Sequence, residues 1–402
     1  MSRVVIVGAG HAGGSAAAFL RQFGWTGEIV LVGEEPLAPY QRPPLSKAWL
    51  KGEADGESLL LRPESFYPEH GIELRLGGHV EAVDRAGKAV VLRGGERLPY
   101  DVLVLATGST ARKLPIPGAD QPEVLELRSA ADADRLKAAL QPGRKLIVVG
   151  AGYVGLEVAA SARALGCEAV VVEREARVLA RVASEPLSAF FEGYHRERGV
   201  EVLTGAAVEA IEPGGRGVSL AEGELLTGDA VLVGVGAAAC EALALEAGLA
   251  CDGGIVVDLE GRTQDPGIFA IGDCTRRPLP LYGAEGRLES VPNALEQAKQ
   301  AAAAIAGTAP PAGEVPWFWS DQYDLKLQIA GLPLGVERLV VRGDPAAAKF
   351  AVFHLAGQLV KAVEAVNAPA EFMAGRQLIG RGTAVDLDKL ADPAVSMKAV
   401  AA

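Results

Sequence analysis

The sequence predicts an α/β protein in which one strand–helix–strand unit is inserted within another of the same pattern, with a smaller α+β domain at the C-terminal end. Three observations carry this. The glycine pattern Gly8-Ala9-Gly10-His11-Ala12-Gly13 recurs as Gly150-Ala151-Gly152-Tyr153-Val154-Gly155, 142 positions later. Each copy follows a short apolar run, Val4 to Val7 or Leu146 to Val149, and opens an alanine-rich stretch with helical spacing. From Val315 onward the pattern changes to short alternating strand-like runs followed by one or two helices.

In each glycine pattern the first glycine permits a tight turn, the second lets backbone approach a pyrophosphate, and the third lets the helix pack on its strand. The helix N-terminus then offers free N–H groups and partial positive charge to phosphate. A second apolar run follows in each unit and ends in an acid, Glu34 after Ile29 to Val32 and Glu173 after Ala169 to Val172. A carboxylate at that place accepts the two hydroxyls of an adenosine ribose. Two complete copies predict two dinucleotides on one chain.

The elements follow in order. After the first unit, two adjacent prolines in Arg42-Pro43-Pro44-Leu45-Ser46-Lys47 stop any helix. Strand-like runs near Ile72 to Leu76 and Lys88 to Leu92 precede Tyr100 to Leu105, a buried strand ending in the small-residue turn Ala106-Thr107-Gly108, where backbone can approach a ligand. Residues 111–236 read as the complete second unit, closing on the apolar run Ala230 to Val235. The chain then returns to the first unit through Ile268 to Cys274, with Gly272-Asp273 in the turn, and a helix from about Ser290 to Ile305. The expected domains are therefore 1–110 with 237–310, then 111–236, then 311–402. The last contains strands near Lys326 to Ile329, Leu339 to Val341, Phe350 to His354 and Leu359 to Val366.

Composition narrows the function. The net charge of -12 disfavours nucleic acid as a partner. Residues 311–402 hold 9 basic and 10 acidic side chains, so this end is nearly neutral and repels an acidic protein least. The first strand starts too early for a signal peptide, and no uncharged apolar run reaches the roughly 18 residues of a membrane span, so a soluble cytoplasmic protein is expected. Cys167, Cys240, Cys251 and Cys274 are far apart and His11, His70, His79, His195 and His354 have no ligand spacing, so neither a metal site nor a redox-active dithiol is expected.

The two glycine patterns, Arg42-Pro43-Pro44-Leu45-Ser46-Lys47, Ala106-Thr107-Gly108, Ile271-Gly272-Asp273-Cys274, Glu289-Ser290-Val291-Pro292-Asn293-Ala294 and Pro316-Trp317-Phe318-Trp319-Ser320-Asp321-Gln322 occur in a recognisable order. Over nearly its whole length the chain resembles the FAD-dependent NADH:ferredoxin reductases of bacterial oxygenase and cytochrome P450 systems. The resemblance implies a glutathione-reductase-like fold with two Rossmann-type domains. It puts FAD on Gly8, Gly10, Ala12 and Gly13, with Glu34 on its ribose, Lys47 near the isoalloxazine, and Val80, Ala106, Thr107, Gly108, Arg128, Gly272, Asp273, Val291 and Trp317 as further contacts. NAD(H) falls on Gly150, Gly152, Tyr153, Val154 and Gly155, with Glu173 on its ribose. Glu157 is expected to pair with Lys47 where hydride crosses, and these two are the candidate catalytic residues.

Glu173 repels a 2'-phosphate and favours NADH, although Arg174 beside it could accept one. Trp317 and Trp319 straddle Phe318, and our reading sets them on opposite faces of a strand, one over the flavin and one outward as an electron exit and docking anchor. Arg62, Lys299 and Lys326 are candidate basic contacts for the partner. The expected activity is transfer of electrons from NADH through FAD, singly, to an acidic [2Fe-2S] ferredoxin in a transient complex. That ferredoxin would feed a P450 or a ring-hydroxylating dioxygenase. Two other readings are an NADH oxidase or peroxidase, which would carry a cysteine where Pro43, Pro44 and Ser46 stand, and a redox-sensing NAD-binding flavoprotein.

Overall fold

A computed structural model describes residues 2–221 and 223–402. The chain divides into two compact units, one of Met1–Gln41, Gly56–Thr110 and Ala238–Pro316, the other of Arg42–Asp55, Ala111–Ala237 and Trp317–Ala402.

The first unit is built on a five-stranded parallel sheet in the order Ile268–Ala270, Val102–Leu105, Arg3–Val7, Glu28–Gly33, Ile72–Leu76. Its strands read as unbroken apolar runs because both faces are covered. Val4, Ile6, Ile29, Leu31 and Val104 pack into one hydrophobic cluster, together with residues of the helices His11–Gln22 and Val291–Ile305. Val5, Val7, Val30, Val32, Leu103 and Leu105 pack into another on the opposite face. Each such side chain contributes about 1.5–3 kcal/mol by leaving water, so a polar residue at Val5 or Ile6 would unseat the strand that delivers the first glycine turn.

The second unit repeats the plan with a four-stranded parallel sheet, Val200–Thr204, Glu168–Glu173, Lys145–Val149, Ala230–Val233. Leu146 and Val148 face one cluster, Ile147 and Val149 the other. The C-terminal segment forms a five-stranded antiparallel sheet in the order Trp317–Gln322, Leu325–Gly331, Leu359–Val366, Lys349–Ala356, Arg338–Asp344. Leu325, Leu327, Phe350, Val352 and Val366 of this sheet share one continuous cluster with Leu146, Val148, Leu156 and Phe191. The helix Pro369–Arg381 packs against it, and Leu387–Ala391 follows. The strands Ile72–Leu76 and Leu359–Val366 fall where the apolar runs place them, and Lys349–Ala356 and Arg338–Asp344 extend further than their apolar centres suggest.

One expectation is corrected. Trp317 and Trp319 do not point to opposite faces of their strand. Side chains alternate with period two, so residues two apart share a face. The two indole rings lie side by side with centroids 5.7 Å apart, and Phe372 packs on Trp317 at the same distance. Phe318, Ser320 and Gln322 take the other face.

Candidate functional site

The first glycine turn is shaped by close backbone approach. Gly8 has φ +112°, and a Cβ there would sit 2.1 Å from the Ala106 carbonyl oxygen. A Cβ on Gly13 would lie 1.9 Å from the Gly8 oxygen, whereas one on Gly10 would meet nothing within 4 Å. Two glycines are therefore demanded by packing, and the middle one faces open space at the start of the helix. Gly10 caps that helix with extended backbone and no side-chain cap bond, and a helix N-terminus of this kind favours a bound anion.

Other predicted contacts gather on the same turn. Gly272, at φ +82°, approaches so closely that its Cβ would be 2.9 Å from that of Ala12. Asp273 follows and accepts 3.0 Å from Ser109 Oγ. Thr107 Oγ1 donates to the Cys240 carbonyl at 2.6 Å, and Gly108 O accepts from Cys240 N at 3.0 Å, so the turn after strand Val102–Leu105 is fixed. Val291 begins its helix behind the cap Ser290, whose side chain accepts from Asn293 N at 3.2 Å. Asn293 Oδ1 is buried and takes no hydrogen bond from the described residues. Glu34 is exposed and meets His79 Nδ1 at 2.9 Å, with Val80 next in the chain. The open face at Gly10, the helix N-terminus behind it and the Asn293 oxygen, which takes no hydrogen bond among the described residues, fit a dinucleotide with a polar ring system.

The second turn copies the first. Gly150 has φ +105° with a virtual Cβ 2.6 Å from the Gly234 oxygen, Gly155 would meet the Gly150 oxygen at 2.2 Å, and Gly152 again faces open space. Tyr153 and Val154 start the helix, and Val154 is exposed. Glu173 is bound into the turn: Oε2 accepts from Ala151 N at 2.7 Å and Oε1 from Glu175 N at 2.9 Å. Arg174 points to solvent and pairs with Glu175 at 3.1 Å.

A third group lies in the second unit. The double proline starts a short 3-10 turn, Pro43–Ser46, that delivers Lys47. Lys47 Nζ lies 2.7 Å from Glu157 Oε2 and also donates to Pro43 O at 3.1 Å. Glu157 projects from the helix Tyr153–Ala164 and is only 6% exposed. It further accepts from Ser46 Oγ at 2.5 Å and Ser320 Oγ at 2.6 Å. A buried carboxylate needs such donors to remain charged without a large desolvation cost. Ser46 and Ser320 lie inside the two most distinctive sequence stretches, yet the sequence assigns neither a role. Arg128 precedes the helix Ala130–Ala139, and its carbonyl accepts from Arg42. Arg376 stacks over Trp317 at 5.5 Å. Among the candidate docking cations, Arg62 lies over Phe66 and Lys299 over Phe19, while Lys326 is exposed.

Two dinucleotide cradles on parallel sheets, one chain carrying both, define an oxidoreductase of glutathione-reductase-like fold. Residues 2–298 match the pyridine nucleotide-disulphide oxidoreductase family and residues 317–401 a reductase C-terminal family. The chain is 52% identical to the probable ferredoxin reductase CtmF of Castellaniella defragrans, covering 99% of this chain and 98% of that one. It is 42% identical to putidaredoxin reductase CamA of Pseudomonas putida over 99% of this chain and 96% of that one. A crystal structure of a covalent putidaredoxin reductase–putidaredoxin complex superposes with a TM-score of 0.96 at 42% identity, covering 99% and 97% of the two chains. The protein belongs to the ferredoxin reductases of the pyridine nucleotide-disulphide oxidoreductase family. It is an oxidoreductase that uses FAD and NAD(H). Despite the family's name, Cys167, Cys240, Cys251 and Cys274 form no disulfide among the described residues. No helix among the described residues is long and apolar enough to cross a membrane.

Proposed function

We propose that this protein takes electrons from NADH through FAD and passes them singly to an acidic [2Fe-2S] ferredoxin that serves a cytochrome P450 or a ring-hydroxylating dioxygenase. The observation that carries this is the pairing of two dinucleotide cradles with four cysteines, Cys167, Cys240, Cys251 and Cys274, that are far apart in sequence and form no disulfide among the described residues. Hydride can enter, but no dithiol stands ready to receive the electron pair. The names of the relatives, ferredoxin and putidaredoxin reductases, supply the acceptor class. A cytoplasmic location fits cysteines that form no disulfide among the described residues.

The chain's own residues divide the work as follows. Residues 1–110 with 237–310 hold FAD, through Gly8, Gly10, Ala12, Gly13, Glu34, Val80, Ala106, Thr107, Gly108, Gly272, Asp273 and Val291. Residues 111–236 hold NAD(H), through Gly150, Gly152, Tyr153, Val154, Gly155 and Glu173. Bound FAD supplies the conversion between a two-electron donor and a one-electron acceptor. Lys47, held by Glu157, places a positive charge at the hydride-transfer site. Arg128 and Trp317 complete the flavin contacts, and residues 311–402 form the domain that docks the partner. Where an oxidase or peroxidase would place a cysteine, Ser46 stands, its hydroxyl committed to Glu157.

The test is NADH-driven reduction of cytochrome c by the purified yellow protein, with and without a small [2Fe-2S] ferredoxin. Slow reduction alone and a rise of orders of magnitude on adding ferredoxin is expected. Rapid NADH consumption by oxygen or peroxide, unaffected by ferredoxin, would overturn the proposal in favour of an oxidase or peroxidase.

A further inference from the structure

We propose that Ser320, Gln322 and His195 are positioning residues of the hydride-transfer site, forming one directed hydrogen-bond chain that fixes the Glu157 carboxylate and, through it, the Lys47 ammonium. The inference rests on the reading above of Lys47 and Glu157. It is carried by an unbroken series of contacts within one unit. Ser320 Oγ meets Glu157 Oε1 at 2.6 Å, Gln322 Nε2 meets Ser320 Oγ at 3.2 Å, His195 Nε2 meets Gln322 Oε1 at 2.7 Å, and Tyr323 OH meets His195 Nδ1 at 3.3 Å. Ser320, Gln322 and His195 are each no more than 2% exposed.

The direction of the chain follows from donor and acceptor chemistry. An ionised carboxylate only accepts, so the Ser320 hydroxyl donates to Glu157. Its lone pair then accepts from the Gln322 amide nitrogen, which turns the Gln322 carbonyl toward His195. His195 must therefore carry its proton on Nε2, leaving Nδ1 to accept from the Tyr323 phenol. Every bond points toward Glu157. Burial lowers His195 to about 4, and Arg198 works in the same direction; burial raises Tyr323 to about 12. Both groups keep the forms the chain needs around neutrality.

Such a chain is costly unless every member is satisfied. A fully apolar strand face would cover the core as well, so its polar members need another reason, and the chain ends on the carboxylate that holds Lys47. The strand that carries Ser320 and Gln322 inward carries Trp317 and Trp319 on its other face. The same bonds therefore set the register of the tryptophan strand against the Lys47–Glu157 pair.

Two measurements test this. In the nitrogen-15 spectrum of the labelled wild-type holoenzyme, assigned by loss of one imidazole in His195→Gln, His195 is expected as the neutral Nε2–H tautomer throughout about pH 6–8. The Nδ1–H tautomer, or titration in that range, would overturn the chain. In anaerobic rapid mixing, Ser320→Ala and His195→Leu are each expected to slow flavin reduction by NADH about fivefold, leaving the NADH Kd within about twofold. His195→Gln, whose amide nitrogen overlays Nε2, should restore the rate. In a Glu157→Gln background, Ser320→Ala should cost less than about twofold, because the two act as one unit. If Lys47→Met is slow and Ser320→Ala is as fast as wild type, only the positioning proposal falls. If Lys47→Met is itself as fast as wild type, the pair does not serve hydride transfer and the proposal falls with that reading.

Discussion

The two glycine cradles are nearly the same object built twice, and they differ in how each holds its acid. In both, the first glycine lies in the left-handed region against a facing carbonyl, the third packs on the first, and the middle one faces open space. Even the anchoring bonds agree: Gly8 N donates to Val32 O and Gly150 N to Val172 O, each at 2.8 Å. Glu34, in contrast, has 73% of its side chain in solvent and, among the described residues, meets only the His79 ring. Glu173 is tied by both oxygens to backbone N–H groups, that of Ala151 in the glycine turn and that of Glu175 just past its own strand. Each carboxylate oxygen keeps a second lone-pair direction, so under the proposed assignment Glu173 is prearranged for the ribose hydroxyls of NAD(H). Among the described residues Glu34 has no such backbone anchor, and under the same assignment FAD would supply the missing partners.

Substitutions in the first cradle have the largest expected effects. Gly10→Val puts branched carbon into the open face, where a Cβ meets no protein atom within 4 Å, so the fold should survive while FAD is lost; a colourless protein with wild-type circular dichroism is expected. Gly8→Ala should do more damage, since the strained backbone alone costs about 1–3 kcal/mol and the added carbon collides with Ala106. Its melting temperature should fall, whereas that of Gly10→Val, after removing FAD from both proteins, should match wild type.

Next in size is Lys47→Met. Losing one oriented charge at a water-excluded site typically costs about 3 kcal/mol, or roughly a hundredfold in rate. Anaerobic flavin reduction should slow accordingly, and an unchanged rate would remove Lys47 from the hydride step. Glu173→Gln alters the acid of the second cradle. Charged hydrogen bonds contribute about 1.5–3 kcal/mol, so the NADH KM should rise tenfold or more while that for NADPH changes little or falls. Parallel losses for both coenzymes would mean that Glu173 only braces the turn. The smallest effect belongs to His79→Ala. Its contact with Glu34 is solvated, and exposed pairs contribute about 0–1 kcal/mol, so FAD release should quicken by no more than a few-fold.

Much of this could be read in the chain. Two glycine patterns, each between apolar runs and followed by an acid, announce both parallel sheets, because period and order are local properties. The pairing of Lys47 with Glu157 spans 110 positions and could be reached only through resemblance. Ser320, Gln322 and His195 lay further out of reach. A serine or glutamine in a strand is ambiguous until the facing element is known, and His195 looks like the polar side of a helix until Gln322 arrives opposite it. The misplacement of Trp317 and Trp319 was a different failure: the alternation of a strand already dictates that they share a face.

The division of labour between the cradles is tested most directly with Gly152→Val. This change blocks only the second open face, so the purified protein should be yellow with one FAD per chain, be bleached anaerobically by dithionite, and resist bleaching by NADH at concentrations that reduce the wild type at once. Loss of FAD, or bleaching by NADH at the wild-type rate, would contradict the assignment of the second cradle to NADH.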